Sequence, residues 1–289
     1  MNSSPNSRKI TEAQERELNA LKCIRVSHEC ISILRSSTID ARPPHILECF
    51  RSDDELAANE NNILASYLIV DENGLIYLFF SLRCGELFKQ KFPESQIRIA
   101  IEGYQAIQKL QADNTLTAEE KLALNVKAKY AIQLWKNYSI VENVAEKLAR
   151  PYKDDMRNEP SPEINRVLEV HPGVELKYYG KNFKANNIWN KKFPRKMGET
   201  LFWKFIVPQI ENLSKIVGCE YLYLFAADTT ADGDLVKYYQ ANLHFNCPET
   251  LGANKPKFDF DCIFLFQSLK ELQKQRNAFF CNFNSRDDL

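Results

Sequence analysis

Glycine is scarce, with nine in 289 residues, so each marks a backbone need rather than flexible filler. Histidine is scarcer still, with four. The eight cysteines, Cys23, Cys30, Cys49, Cys84, Cys219, Cys247, Cys262 and Cys281, form no C-x-x-C pair. Tetrahedral zinc sites draw their ligands in close pairs, so no metal is expected. Several cysteines stand beside apolar residues, as in Asp261-Cys262-Ile263-Phe264, and read as reduced, buried thiols of a cytoplasmic protein. An excess of charge is also lacking. Thirty-eight basic residues meet 38 acidic ones, which argues against a general nucleic-acid coat while leaving room for a local basic patch. No stretch approaches the ~20 apolar residues of a membrane span. The polar start, M-N-S-S-P-N-S-R-K, has no apolar leader, so export and membrane association are not expected.

What is present is a core-forming composition, 44% hydrophobic, sufficient for one large domain with an insertion. Residues 1–10 read as a disordered tail. Leu21–Ser27 alternates as a first strand, in competition with a helix starting at Thr11. Helical signals over Ile31–Arg35 and Ile46–Leu56 flank Pro43-Pro44. A hairpin follows: Leu64–Val70 and Leu75–Leu82 are β-branched and aromatic, joined by Asp71-Glu72-Asn73-Gly74. Residues 95–149 change character. Ile97, Ile101, Tyr104, Ile107 and Leu110 recur at helical spacing, and Thr117-x-x-Glu120 is a capping box. The second helix carries Leu124, Ala128, Ala131, Trp135 and Tyr138, so a helical hairpin is expected, with a Pro-rich linker over 150–163. Its stripes read as packing surface, including a homodimer contact. From residue 165 strands and helices alternate: strand Val167–Tyr179 broken near Pro172-Gly173, helix Met197–Val217 kinked at Pro208, strand Cys219–Ala226, helix Leu235–Leu243 and strand Phe258–Phe266. The expected division is 1–10 tail, 11–94 first part of the α/β domain, 95–160 insertion and linker, 161–275 second part and 276–289 tail.

The segment that carries chemistry is Arg195-Lys196-Met197-Gly198-Glu199-Thr200, directly before the apolar run L-F-W-K-F-I-V. A strand, a glycine turn and a helix start make an anion site. Free amides and the positive end of the helix dipole point at one spot, and a glycine lets a pyrophosphate approach. A plain turn is the competing reading. The series of hairpin, carboxylate-bearing strand, R-x-x-G-x-T, helix, apolar strand, then L-V-K-Y-Y-Q-A-N-L-H-F and a last strand resembles the GNAT family of N-acetyltransferases, faintly its toxin-type branch. The resemblance spans residues 20–85 loosely and 165–268 well. Thr200 departs from the family's small residue, and His244 stands where glycine is usual.

The resemblance implies an α/β fold: a mixed, largely antiparallel sheet flanked by helices, with strands splaying near residues 180 and 225. It implies acetyl-CoA as co-substrate, its pantetheine arm against Leu176 and Tyr178 and its phosphates at residues 195–200. Glu175 is the candidate base, with a solvated strand glutamate as the alternative. Tyr239 is the candidate acid for the leaving thiolate, with core packing as the alternative and Tyr238 as the fallback. Deprotonating a lysine-like amine of pKa ~10.4 at pH 7 costs about 4–5 kcal/mol, which a base lowers. The acceptor is an unidentified amine. The α-amine of an aminoacyl-tRNA, of pKa ~8, is an alternative that zero net charge disfavours. A regulatory module that binds CoA without turnover is another. Asp228-Thr229-Thr230-Ala231-Asp232-Gly233-Asp234 lacks the full ligand pattern of a calcium loop.

Overall fold

A computed structural model describes residues 9–27, 30–31, 34–35, 38–90, 92–149, 167–228, 230, 232–248, 250–253 and 262–285. The expected linker at 150–163, most of the N-terminal tail and residues 258–261 of the expected last strand lie outside the described residues.

The two competing readings near the N-terminus both hold, in series. Thr11 and Gln14 exchange side-chain and backbone bonds in a capping box that opens α1, Glu12–Ala20. Leu21 is extended, and β1 follows at once over Lys22–Arg25. Helices α2, Pro44–Phe50, and α3, Asp53–Glu60, come next. Buried Asn59 ties α3 to the sheet: its amide donates to the Val26 carbonyl at 2.8 Å and accepts from the Ser66 amide at 2.9 Å. The hairpin forms as its turn chemistry predicts. Strands β2, Ala65–Val70, and β3, Ile76–Gln90, pair antiparallel, with Tyr67 opposite Phe80. The Asp71 carboxylate accepts from the amides of Asn73 and Leu75, and Gly74 takes the positive φ of +79°.

Strand β4 runs unbroken over Val167–Lys181, contrary to the break expected at Pro172-Gly173. Its pairing with β5, Tyr221–Ala226, begins only at Gly173, while the Pro172 carbonyl accepts from the Glu220 amide at 2.9 Å. The proline therefore forfeits no ladder bond to β5. After α7, Asn186–Lys192, the chain is helical from residue 197 to 217, in three parts. These are α8, Met197–Leu201, a π-helical stretch, Phe202–Ile206, and α9, Val207–Val217. The widened turn lies just before Pro208, which has no amide to donate, so the register shifts where a kink was expected. Helix α10 spans Asp234–Leu243, β6 Leu251–Ala253, β7 Ile263–Ser268 and α11 Leu269–Cys281. Helix α11 runs past residue 276, where a tail was expected, and Phe283 just beyond it is fully buried in the core.

The sheet order is β1-β2-β3-β4-β5-β7, with β6 paired to β3. β1/β2, β2/β3 and β5/β7 are antiparallel, and β4/β5 is parallel. The fold is thus a mixed, largely antiparallel sheet flanked by helices. The chain forms two compact units. One comprises 1–87, 171–247 and 253–289, with a core around Trp189, Phe202, Trp203, Phe80 and Phe245. The other comprises 88–170 and 248–252.

In this second unit three helices stand where a hairpin was expected: α4, Glu94–Ala112, α5, Ala118–Trp135, and α6, Tyr138–Ala149. Thr117 and Glu120 form the expected capping box. Lys136 ends α5 in the left-handed conformation at φ +69°, and the Asn137 side chain accepts from the Ile140 amide. Tyr138 therefore begins a new helix rather than continuing the stripe. Ala100, Ala131, Trp135, Val141 and Val144 form the unit's core, and the Trp135 indole donates to the Gln96 carbonyl at 3.1 Å.

Candidate functional site

Strands β4 and β5 pair over only three residues each, Gly173–Glu175 with Tyr221–Tyr223. β4 nevertheless runs on to Lys181 and β5 to Ala226. Beyond Glu175 the strands part, and a cleft of about 90 Å³ opens between them. Its walls are Leu176 to Tyr179 from β4, Leu224, Phe225 and Ala227 at the end of β5, and Leu235 and Tyr239 from α10. His45, Ile46 and Cys49 of α2 complete it. A strand edge released from its partner offers backbone amides and carbonyls to an extended, amide-bearing ligand. Leu176 and Tyr178, the sequence candidates for that contact, both line the cleft.

Lys196 to Thr200 lie where β4's far end meets the start of α8. The loop before them is fixed by the Trp189 indole, which donates to the Arg195 carbonyl at 2.8 Å. Arg195, expected at the phosphates, is engaged with backbone carbonyls. Its guanidinium donates to the carbonyls of Phe283 at 3.1 Å and Asn282 at 2.8 Å, the open end of α11, where a cation complements the helix dipole. Met197, Glu199 and Thr200 are buried, and the Thr200 hydroxyl donates to the Lys196 carbonyl at 3.1 Å. Gly198 has a local reason to be glycine: a Cβ there would stand 2.9 Å from the Tyr238 hydroxyl and 3.0 Å from that of Tyr179. Both phenols are pushed well above their ordinary values by burial.

Two cations that sequence reasoning missed adjoin this turn. Lys181 ends β4, and Arg42 precedes α2; both stack on the Phe183 ring, at 4.4 and 4.5 Å. Burial and the nearby charges of Lys196 and Arg42 lower the Lys181 ammonium. Lys181 thus sits between like charges, while Arg42 also donates to the Asp40 carboxylate at 3.3 Å. Residue identity alone hid the group, because Arg42 lies 139 positions before Lys181.

Tyr239 lines the cleft and is 7% exposed. It packs against Tyr179, Tyr238 and Phe245 at ring distances of 6.2, 5.8 and 6.0 Å. Burial, then the Asp228 carboxylate, raises its phenol, so it is protonated near neutral pH. Asp228 caps α10 instead of serving a calcium loop. Although burial pushes its carboxyl up, bonds from Thr230 and from the Val236 amide at 3.0 Å hold it below its ordinary value.

Glu175 is 3% exposed and engaged. Arg83 donates to its Oε2 at 2.6 Å and the Tyr223 hydroxyl at 3.4 Å. Burial would lower the Arg83 guanidinium, but Glu175 holds it above its ordinary value. A carboxylate so paired is a structural anchor of the sheet, and it does not line the cleft. The structure therefore brings Leu176, Tyr178 and Tyr239 together and leaves Glu175 and Arg195 in ion-pair and capping roles.

Among the described residues no group of three His, Cys, Asp or Glu side chains is placed to hold a metal ion. No described helix is long and apolar enough to cross a membrane. No family model matches the sequence, and no curated protein matches it. Solved structures do resemble it at low identity. A tyrosine-to-phenylalanine mutant of the AtaT toxin is 12% identical with a TM-score of 0.47, over 89% of this chain and 94% of that one. AtaTR bound with AcCoA is 12% identical with a TM-score of 0.45, over 89% and 98%. AtaT complexed with acetyl-methionyl-tRNAfMet is 11% identical with a TM-score of 0.44, over 88% and 98%.

Proposed function

We propose that this chain transfers an acetyl group from acetyl-CoA to an amine. The observation that carries the reading is the parting of β4 from β5 beyond Glu175, with Tyr239 on the wall of the cleft so formed. The free β4 edge suits the amides of a pantetheine arm. Lys181, Lys196 and Arg42 suit the phosphates, with the first amides of α8, which have no intrahelical acceptor, beside them.

In the reaction the amine nitrogen attacks the thioester carbonyl. The C–N bond forms, the C–S bond breaks, and the sulfur departs with the bonding pair. Tyr239 gives its proton to that thiolate, and the proton that the newly bonded nitrogen sheds passes to water, from which the phenol is restored. The raised phenol is a weaker acid than free tyrosine, but it holds the proton at neutral pH until the thiolate forms. The ammonium proton of the acceptor leaves before attack, at a cost of about 4–5 kcal/mol for a lysine-like amine and less for an α-amine.

A second reading, a module that binds the cofactor without turnover, is favoured by the engagement of Glu175 with Arg83. Thiol release from acetyl-CoA, with a panel of primary amines and aminoacyl-tRNA, separates the two. Release above the acceptor-free background supports the transferase. Saturable acetyl-CoA binding without release under every acceptor supports the module.

A further inference from the structure

Strand β4 slips its alternation just where it leaves β5. Val174, Leu176 and Tyr179 pack into one core cluster, whereas Tyr178 packs against the other, 6.2 Å from the Phe50 ring. Strict alternation would put Leu176 and Tyr178 on one face and Tyr179 on the opposite one. The slip falls at Lys177, and such an irregularity re-aims a side chain as a β-bulge does. The Lys177 ammonium donates to Oε2 of Glu55 at 2.5 Å and stands 4.9 Å from the Tyr178 ring centre.

Lys177 also lines the cleft, and its side chain is 21% exposed. An ammonium carries three N–H donors. Among the described residues Lys177 gives one to Glu55, so it keeps donor capacity for a ligand in the cleft. Arg83, the other cation beside this stretch of β4, is committed to Glu175 at 2.6 Å and does not line the cleft. Lys181, at the far end of β4, stands in the basic group assigned to phosphate. The four strand residues between them cover about 13 Å, comparable to an extended pantetheine arm. A cofactor with its phosphates at Lys181 and its arm along β4 brings its acyl end to Lys177.

We propose that Lys177 is a catalytic residue of the transfer: its ammonium, held by Glu55, donates a hydrogen bond to the thioester carbonyl oxygen of the bound acyl-CoA. The inference rests on the acyltransferase reading for what occupies the cleft. When the amine nitrogen attacks, the carbonyl π pair moves onto that oxygen, and the ammonium stabilises the charge without giving up a proton. When the C–S bond breaks, the pair returns to the carbonyl and Lys177 keeps all its protons. The Glu55 carboxylate opposes part of the effect, because it offsets the charge it holds in place.

Acetyl-CoA carrying carbon-13 at the thioester carbonyl, added to the full chain and followed by NMR, reads this contact without turnover. A hydrogen bond deshields the carbonyl carbon, so the resonance bound to the wild type should lie downfield of free acetyl-CoA. That displacement should fall by at least half in Lys177→Met and be partly restored in Lys177→Arg. In thiol release, kcat should fall about ten- to hundred-fold in Lys177→Met, below the full effect of an oxyanion donor, with KM for acetyl-CoA within two-fold. Lys177→Met leaves Glu55 buried without its cation; if that variant does not fold, the double variant Glu55→Gln/Lys177→Met, which removes both charges, decides in its place. No displacement on binding, or an equal one in the wild type and the variant without the lysine, overturns the assignment and leaves the acyl-CoA reading standing. An amide carbonyl signal from acetylated Lys177 would make it an acceptor and overturn the assignment too. No bound resonance in the wild type sinks the acyl-CoA reading, and Lys177 with it.

Discussion

Tyr239 and His244 sit five residues apart on one short element and have opposite claims to attention. Tyr239 faces the cleft with a phenol that burial and Asp228 keep protonated. Phenylalanine keeps the ring packing and deletes the proton donor. Tyr239→Phe should therefore lower thiol release by up to ~10²–10⁴ while leaving acetyl-CoA affinity within two-fold. Tyr238→Phe should cost less, because that hydroxyl lies over Gly198 rather than in the cleft wall. The sign of the pKa shift gives a pH corollary. A raised phenol loses its proton only above the ordinary tyrosine range, so turnover should not fall between pH 7.5 and 9.5 from this group. A descending limb centred near pH 8 that disappears in Tyr239→Phe would contradict the assignment. His244 ends α10 in the left-handed conformation at φ +58°. A β-carbon there is strained, and glycine is not. His244→Gly should stabilise the protein by about 0.5–1 kcal/mol, less whatever the 5.9 Å ring contact with Trp203 contributes. Thermal unfolding checks it; a lower melting temperature contradicts it.

At the level of elements, the hairpin, the Thr11 and Thr117 caps and the helix from residue 197 were legible because each depends on neighbours in sequence. Asp71 reads its own turn, and Thr117 meets Glu120 three residues on. Leu176, Tyr178 and Tyr239, which the family resemblance implied rather than periodicity, all line the cleft, the first two on β4 and the third on α10. The candidate site was not legible where a side chain finds a partner far away. Arg195 meets carbonyls 87 and 88 residues distant, Glu175 meets Arg83 across 92, and Glu55 meets Lys177 across 122. Composition carries no trace of such pairings. The expected break at Pro172 failed for a physical reason, that a missing amide costs nothing where the local pairing does not ask for it, whereas at Pro208 the helix does change register at the expected place. The start of α8 supplies this scale's prediction. A valine at 198 displaces the Tyr179 and Tyr238 hydroxyls and covers the first amides of the helix. Gly198→Val should lose the acetyl-CoA-induced rise in melting temperature, measured against its own ligand-free baseline. A folded Gly198→Val with the full response would remove residues 196–198 from the cofactor site.

For the whole molecule, every residue placed in the cleft and the basic group lies in the unit formed by 1–87, 171–247 and 253–289. The other unit has its own core and an exposed apolar stripe on α5, where Leu122, Val126 and Tyr130 are 67%, 61% and 55% exposed. Replacing residues 95–149 by a short linker should preserve the acetyl-CoA response and change the oligomeric state or the range of amines accepted. Sedimentation and the amine panel check this, and loss of acetyl-CoA binding in a folded deletion contradicts it. The central claim, that an acyl-CoA lies between the parted strands, is tested most directly by differential scanning calorimetry of the wild type and Ala227→Leu. Leucine adds three carbons to the wall of a cleft of about 90 Å³. At a hundred-fold excess over its dissociation constant, a ligand contributes about 2.7 kcal/mol, roughly 5–10 °C for a chain of this size. The account predicts that rise with acetyl-CoA in the wild type, none with ATP, and none with acetyl-CoA in an Ala227→Leu that melts at the wild-type temperature or higher. No rise in the wild type, or an equal rise in both proteins, would contradict it.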